Sequence, residues 1–458
     1  MRRILALLLL ALLPTSLVAQ FQPAAETRPI VFNRVTVVDM TGAPPKPNMT
    51  VIVVGSRISA VGKTGKVSLP ENARIIDASG KFLIPGLWDM HIHSGGYENG
   101  RKYFPGLVAN GITGVRDMGT PLEEILRLRK EANHGKFLAP RMIIAGHLLQ
   151  GPLPFKNPVF LSVNNKAEAS QAVINLKKNG VNFIKIHDAV PRDIYFAIAA
   201  EAKRQGLPLA GHVPPFVSAA ETSNAEQQSI EHLGGRFHGV LLACSSRETE
   251  LSERIKLTIN DMLKAFSEKR EPDDSAIFRA GFTKLLFESF SERKAMQIFL
   301  AFRKNKTSQV PTLVAQPLRA AVNERKDLSK EDIFYAGKLM QKQFEIVAAM
   351  QRAGVKIMAG TDSPLDKPKL HEELALLVEA GLTPMQALQT ATSNPAKFLG
   401  LEKLLGTIEK GKEADFVLLD ANPLDNIANT KRISGVVFGG RYFSKDKLEE
   451  MLRNAEVR

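Results

Sequence analysis

The sequence predicts a (β/α)8 TIM-like barrel carrying a small β domain built from both ends of the chain. Three observations predict it. From about Phe82 to Leu401, apolar strand-like runs alternate with helix-period segments, the pattern of βα units on a parallel sheet. Eight candidate strands fall in that stretch, the number with which such a barrel closes. Short strands punctuated by Gly, Pro and Asn fill residues 30–83, and strand-like runs return after Leu405.

In the N-terminal stretch the expected strands are 30–32, 36–38, 51–54, 57–61 and 73–77, reading as an antiparallel sheet or sandwich. The expected barrel strands are 83–91, 112–117, 142–145, 183–187, 208–212, 229–233, 310–314 and 355–360. Residues 416–419 and 433–438 return to strand. The domain reading is therefore 28–83 plus 403–445 for the β domain and 84–402 for the barrel. A charged helical stretch at 245–305 is long for a single βα connection and reads as an insert or lid.

The chain has 458 residues, 44% apolar and 24% charged, which excludes disordered, collagenous and fibrous classes. Its net charge, 61 − 47 = +14, raises nucleic acid or an acidic surface as partners. The distribution argues against both. Basic residues are interleaved with acids, as from Glu123 to Glu131, and no run of five basic residues occurs. Five Tyr and one Trp make no stacking platform for single strands. The single cysteine, Cys244, forms no internal disulfide and reads as a small buried hydrophobe.

Arg2-Arg3, an apolar run from Ile4 to Leu13 and then Pro14 to Ala19 read as a secretory signal peptide, residues 1–19, cleaved after Ala19. The run is too short to span a bilayer comfortably, and no Cys follows it for lipid attachment. A periplasmic or secreted mature chain without stable membrane insertion is expected, with association of several copies left open.

The residues that carry chemistry cluster at expected strand ends. His91 and His93, two apart on a strand, share a face and can converge on one ion. Lys185 lies inside the apolar run Phe183-Ile184-Lys185-Ile186, where an unpaired ammonium is costly, so it must be paired, with Asp188 or Asp362, or modified. His212 and His232 end the next two strands, and Asp362 follows the last. Each alone has an ordinary structural reading. Together, at the end of a barrel where chemistry sits, they read as a metal site.

These residues resemble the metal-dependent amidohydrolase superfamily, within it the imidazolonepropionase-like and Xaa-Pro or Xaa-Arg dipeptidase-like branch. The resemblance runs in order through Pro85-Gly86-Leu87-Trp88-Asp89-Met90-His91-Ile92-His93, Gly211-His212-Val213-Pro214, Ser229-Ile230-Glu231-His232-Leu233 and Gly360-Thr361-Asp362-Ser363. It continues through His371-Glu372-Glu373-Leu374, Ala391-Thr392-Ser393-Asn394-Pro395-Ala396 and Gly411-Lys412-Glu413-Ala414-Asp415-Phe416.

The resemblance implies a barrel with a terminal β-sandwich and two divalent ions, usually zinc. His91, His93, Lys185 and Asp362 would hold one ion and Lys185, His212 and His232 the other. Lys185 would be N6-carboxylated and a hydroxide would bridge the ions. Asp362 would be the proton shuttle, and Glu231, Asp89 and Thr361 are candidates to orient the imidazoles.

The implied activity is hydrolysis of a C–N amide bond, in a dipeptide or N-acyl amino acid. A mononuclear deaminase, a cyclic-amide hydrolase and a non-catalytic secreted binding protein are the alternatives. Where the branch carries Gly-Gly-His, this chain reads Ala145-Gly146-His147, and a usual glycine-rich segment becomes His187-Asp188-Ala189-Val190-Pro191. His147, His187 and His371 are thus candidate substrate contacts, whereas His134 and His238 read as surface residues.

Overall fold

The computed structural model describes residues 26–152, 156–271 and 275–456; the expected signal peptide lies outside them. The first strands are β1 (Ile30–Val37), β2 (Lys46–Val54), β3 (Arg57–Lys63), β4 (Arg74–Asp77) and β5 (Phe82–Pro85). The next nine are β6 (Leu87–Ile92), β7 (Ile112–Asp117), β8 (Arg141–Ile144), β9 (Leu148–Gln150), β10 (Phe160–Ser162), β11 (Ile184–Ile186), β12 (Leu209–Gly211), β13 (Gln227–Glu231) and β14 (Ser308–Val310). The last three are β15 (Phe416–Leu419), β16 (Ile433–Phe438) and β17 (Arg441–Ser444).

Both chain ends meet in one eight-stranded sheet, ordered β17-β16-β15-β5-β1-β2-β3 with β4 also on β1. It is mixed and not purely antiparallel, because β1 pairs in parallel with both β4 and β5. Residue alternation decides its two faces. Phe416 and Leu418 pack with Phe32 and Val51 in a core of the sheet's own, whereas Val417 and Leu419 join the cluster of Leu107 and Ile112 beneath the barrel. The seam is also ionic: Arg141 Nε donates to Asp415 Oδ2 at 2.8 Å, and Asp415 Oδ1 accepts from the Gly439 N–H at 2.9 Å.

Between these ends the strands are parallel, most of them joined by helices, in two ladders, β6-β7-β8 and β10-β9-β11-β12-β13-β14. Among the described residues no ladder closes the ring. A few hydrogen bonds span its gaps: Asn182 N–H to Ile144 O at 2.8 Å on one side, and Met90 N–H to Ala359 O at 2.9 Å with Asp362 N–H to His91 O at 2.7 Å on the other. Trp88, Met90, Ile143, Phe183, Ala210, Val310 and Met358 fill the interior as one buried cluster.

Two expected strands fall short. Residues 310–314 shift to Ser308–Val310 followed by a 3-10 turn, Leu313–Ala315. Residues 355–360 keep only a bridge between Ile357 and Gln309, for the chain turns inward to Asp362, whose φ is 48°. The charged stretch is helical as expected, with helices Glu248–Ser267, Ala280–Glu288 and Glu292–Asn305. The last leads straight into β14, as a crossover helix does.

Asp415→Ala leaves the Arg141 guanidinium buried beside a lost partner, a change expected to cost about 3 kcal/mol or more. Urea unfolding should show the loss as an earlier transition.

Candidate metal centre

A parallel arrangement sends the C-terminal ends of its strands to one side, and the predicted chemistry collects there. His91 is on β6 and His93 just beyond it; Lys185 is at the centre of β11; His212 and His232 directly follow β12 and β13. Asp362 completes the set from the turn after Gly360. Its carboxylate lies 3.5 Å from His93 Nε2, 3.7 Å from His232 Nε2 and 3.9 Å from His91 Nε2. The His212 ring is 5.1 Å from that of His232, and Lys185 and His212 line one cavity with His93, His232 and Asp362, so the six predicted residues lie together.

Every imidazole of the set uses Nδ1 on the protein. His91 Nδ1 meets Glu231 Oε2 at 2.9 Å, and His93 Nδ1 meets the Gly119 carbonyl at 2.7 Å. His212 Nδ1 meets Asp188 Oδ1 at 2.7 Å, and His232 Nδ1 meets Thr312 Oγ1 at 2.5 Å. A carbonyl or carboxylate oxygen can only accept, so Nδ1 carries the proton in the first three. Thr312 Oγ1 spends its own proton on the Pro311 carbonyl at 2.8 Å, so it accepts from His232 as well.

Four Nε2 lone pairs are thereby left for the cleft, the form in which histidine binds metal. Burial drives the pKa of His91, His212 and His232 well below the ordinary histidine value, with the Lys185 charge adding to the fall, which keeps the rings neutral. Burial raises Asp362 above the usual carboxylate range against the opposing pull of His93 and Lys185.

Lys185 is fully buried, and its Nζ has no hydrogen-bond partner among the described residues. Neither salt bridge considered from sequence, to Asp188 or to Asp362, is made among the described residues, and Asp188 is engaged by His212. Burial pushes the Lys185 ammonium down to about 8, with Glu231 and Asp362 resisting. The buried His91 Nε2 likewise has no partner among the described residues, and with His232 and Asp362 it fits a group able to hold a cation.

The orienting groups were only partly anticipated. Glu231 acts as expected, whereas Asp89 accepts from the His91 and Thr361 backbone N–H groups and from Thr361 Oγ1, fixing the main chain and no ring. Thr361 likewise touches no imidazole. Asp188, Thr312, the Gly119 carbonyl and Arg116 were missed. Arg116 Nη2 lies 2.8 Å from Glu231 Oε1, and its one sequence signal is a cation within the apolar strand β7.

His187 lies in the cleft, its ring 4.7 Å from that of His212. His147 lines neither cavity beside the centre. His371 is no substrate contact: its nitrogens are taken by Thr430 Oγ1 at 3.0 Å and the Asn110 carbonyl at 3.1 Å. The useful residue of that motif is Glu373, which accepts from the N–H groups of Leu313 and Val314 next to Thr312. His238 is fully buried and not on the surface, because it opens the buried helix Gly239–Ala243.

The profile described as "Amidohydrolase family" matches residues 82–442. The chain belongs to the amidohydrolase family. It is a hydrolase acting on C–N bonds, and members of this family generally use a divalent metal. Ochratoxinase of Aspergillus niger is 25% identical over 389 residues, covering 79% of this chain and 75% of that protein.

Among solved structures, a putative prolidase from Bifidobacterium longum superposes with a TM-score of 0.68 at 24% identity, covering 94% of this chain and all of that one. An Xaa-Pro dipeptidase with bound methionine gives 0.66 at 20% identity, over 91% of this chain and all of that one. These likenesses show a TIM-barrel-like α/β fold with a β-rich domain.

Asp188→Ala removes the acceptor that fixes the His212 tautomer. Metal affinity should fall about 10- to 100-fold in chelator competition, the usual cost of losing such a partner.

Proposed function

We propose that the chain is a secreted or periplasmic hydrolase that holds two divalent ions, zinc foremost, and cleaves the amide bond of a dipeptide or N-acyl amino acid. The observation that carries this reading is the meeting of four Nε2 lone pairs and the Asp362 carboxylate near a buried lysine whose Nζ has no hydrogen-bond partner among the described residues.

His91, His93, Lys185 and Asp362 would hold one ion, and Lys185, His212 and His232 the other. When bound, such ions supply Lewis acidity, making water more acidic and polarising a carbonyl. Lys185 would offer two ligand oxygens once its ammonium has lost a proton and the neutral amine adds carbon dioxide and releases a second proton, giving a carbamate. Its depressed pKa leaves part of the amine neutral and so able to add.

Asp362 is the group placed to move protons. Its side chain is 34% exposed while the neighbouring His91 is fully buried, so it reaches both the ligand cluster and incoming solvent. It would take the proton of an entering water and deliver it to the departing nitrogen, general base and then general acid. The relatives named for peptide-bond or toxin hydrolysis support an amide substrate, and the segment at 1–19 supports export.

Asp362→Asn should keep its metal and lose roughly 100-fold or more in kcat; near-normal turnover would remove the shuttle role. Lys185→Ala should bind fewer ions per chain by mass spectrometry of metals, with recovery on adding a short-chain carboxylate. Full occupancy without such rescue would refute the carbamate.

A further inference from the structure

Two cavities open from the histidine cluster, of about 470 and 310 Å³. Four residues line both of them: His187, His212, His232 and Asp362. A bond cut at this centre lies at that junction. Three of the four already have a part in the proposed chemistry, two as ligands and Asp362 as ligand and proton shuttle. His187 has none.

His187 also differs from its neighbours in what its nitrogens do. Each ligand imidazole spends Nδ1 on a protein oxygen and keeps Nε2 for the cleft. Among the described residues the His187 side chain makes no hydrogen bond, and its Nδ1 is buried without a partner. An imidazole in either protonation state carries at least one N–H. At the junction that donor is left over, because His212 and His232 have given theirs to Asp188 and Thr312. A buried donor or acceptor without a partner is costly, and a functional role is one of the reasons a protein keeps one.

The ring is nonetheless held in place. His187 follows Lys185 by two, both line the smaller cavity, and the His187 backbone N–H donates to the Leu149 carbonyl at 3.0 Å. Just beyond, the Ala189 N–H donates to Gln150 Oε1 at 3.2 Å, and the Ala189 carbonyl accepts from the Gly151 N–H at 3.0 Å. That approach needs glycine, since a Cβ at Gly151 would lie 2.1 Å from the carbonyl oxygen. Ring contacts finish the positioning, with centroids 4.9 Å from Phe160 and 4.7 Å from His212. Such contacts fix a ring without consuming its hydrogen-bonding groups.

We propose that His187 is a further catalytic residue, which donates its N–H to the carbonyl oxygen of the scissile amide as negative charge gathers there. Water adds to the carbonyl carbon and the carbonyl electron pair moves onto the oxygen. The pair returns as the C–N bond breaks and the departing nitrogen takes the proton that the water gave up. His187 keeps its own proton throughout; its part is to stabilise the charged oxygen. The role rests on the amide-hydrolase reading above and adds a donor to it. The rival role is that of a ligand, since His187, Asp188 and His212 stand close enough to share a cation. Against it, Asp188 Oδ1 is already taken by His212 Nδ1.

Comparison of the zinc-loaded native, His187→Phe and His187→Gln chains tests the role. Phenylalanine keeps a ring against Phe160 without a donor, and glutamine keeps a donor. L-leucyl-L-leucine reads turnover. Its phosphinate, in which PO2−–CH2 replaces CO–NH and presents charged tetrahedral oxygens, reads binding by calorimetry. His187→Phe should hold as many ions per chain as the native, bind the phosphinate about 10- to 100-fold more weakly and lose about 100-fold or more in kcat with little change in KM. His187→Gln should recover part of both losses. Phosphinate affinity that is unchanged in His187→Phe, equally lost in His187→Gln or absent from the native chain overturns the role. So does a fall in ions per chain, which makes His187 a ligand. If the native chain leaves the dipeptide intact while the phosphinate pattern holds, the donor stands and the amide reading fails for dipeptides. Cleavage of the dipeptide with unchanged phosphinate affinity does the reverse.

Discussion

The site depends on a guanidinium that has nowhere else to go. Arg116 is 1% exposed and Glu231 is fully buried, so each must be neutralised inside the protein or not be charged at all. Arg116 donates through Nε to the Met90 carbonyl, through Nη1 to Ser229 Oγ and through Nη2 to both oxygens of Glu231. Ser229 donates in turn to Glu231 Oε1 at 2.5 Å, and Glu231 Oε2 takes the His91 proton. Strands β6, β7 and β13 are thus tied at one point, and His91 can present only Nε2. Losing one member of such a buried pair costs about 3–5 kcal/mol because the other is left charged and alone.

The same logic explains which parts of the molecule were legible in sequence. A residue at the end of a parallel strand inherits its place from the strand, and the period of two does the rest. His91, His93, Lys185, His212 and His232 could be located from their own neighbours in the chain. The orienting groups could not. Asp188 lies 24 residues before His212 and Thr312 lies 80 after His232, so each pairing exists only once the strands are side by side. His371 misled for the converse reason: its motif is real, yet helix geometry gives the inward place to Glu373.

The fold shows the same division. Period and punctuation marked most strands, but direction of pairing is set by tertiary contacts, so the parallel partners of β1 were out of reach. The expected eighth strand was misjudged because Val355 to Gly360 has the composition of a strand and the hydrogen bonds of a crossing. Gln309 N–H reaches the Lys356 carbonyl and Met358 N–H the Gln309 carbonyl, while Ala359 N–H goes to Thr390 and its carbonyl accepts from Met90. The segment touches each neighbour briefly on its way to deliver Asp362.

Delivery of that kind carries strain, and part of the chain's left-handed backbone falls at the site. His232, Thr312 and Asp362 hold φ values of 53°, 45° and 48°, a region that non-glycine residues seldom occupy and β-branched residues least of all. Each is held by bonds from elsewhere. His232 N–H is taken by the Val310 carbonyl, and Asp362 N–H by the His91 carbonyl at 2.7 Å. Beyond Thr312, the next two N–H groups are clasped by the two oxygens of Glu373. Burial raises Glu373 to about 8 while those bonds hold it down, so its ionised form depends on the turn it stabilises. His232 and Asp362, the proposed ligands, and Thr312, which accepts from the His232 ring, therefore sit on left-handed backbone that the surrounding structure enforces.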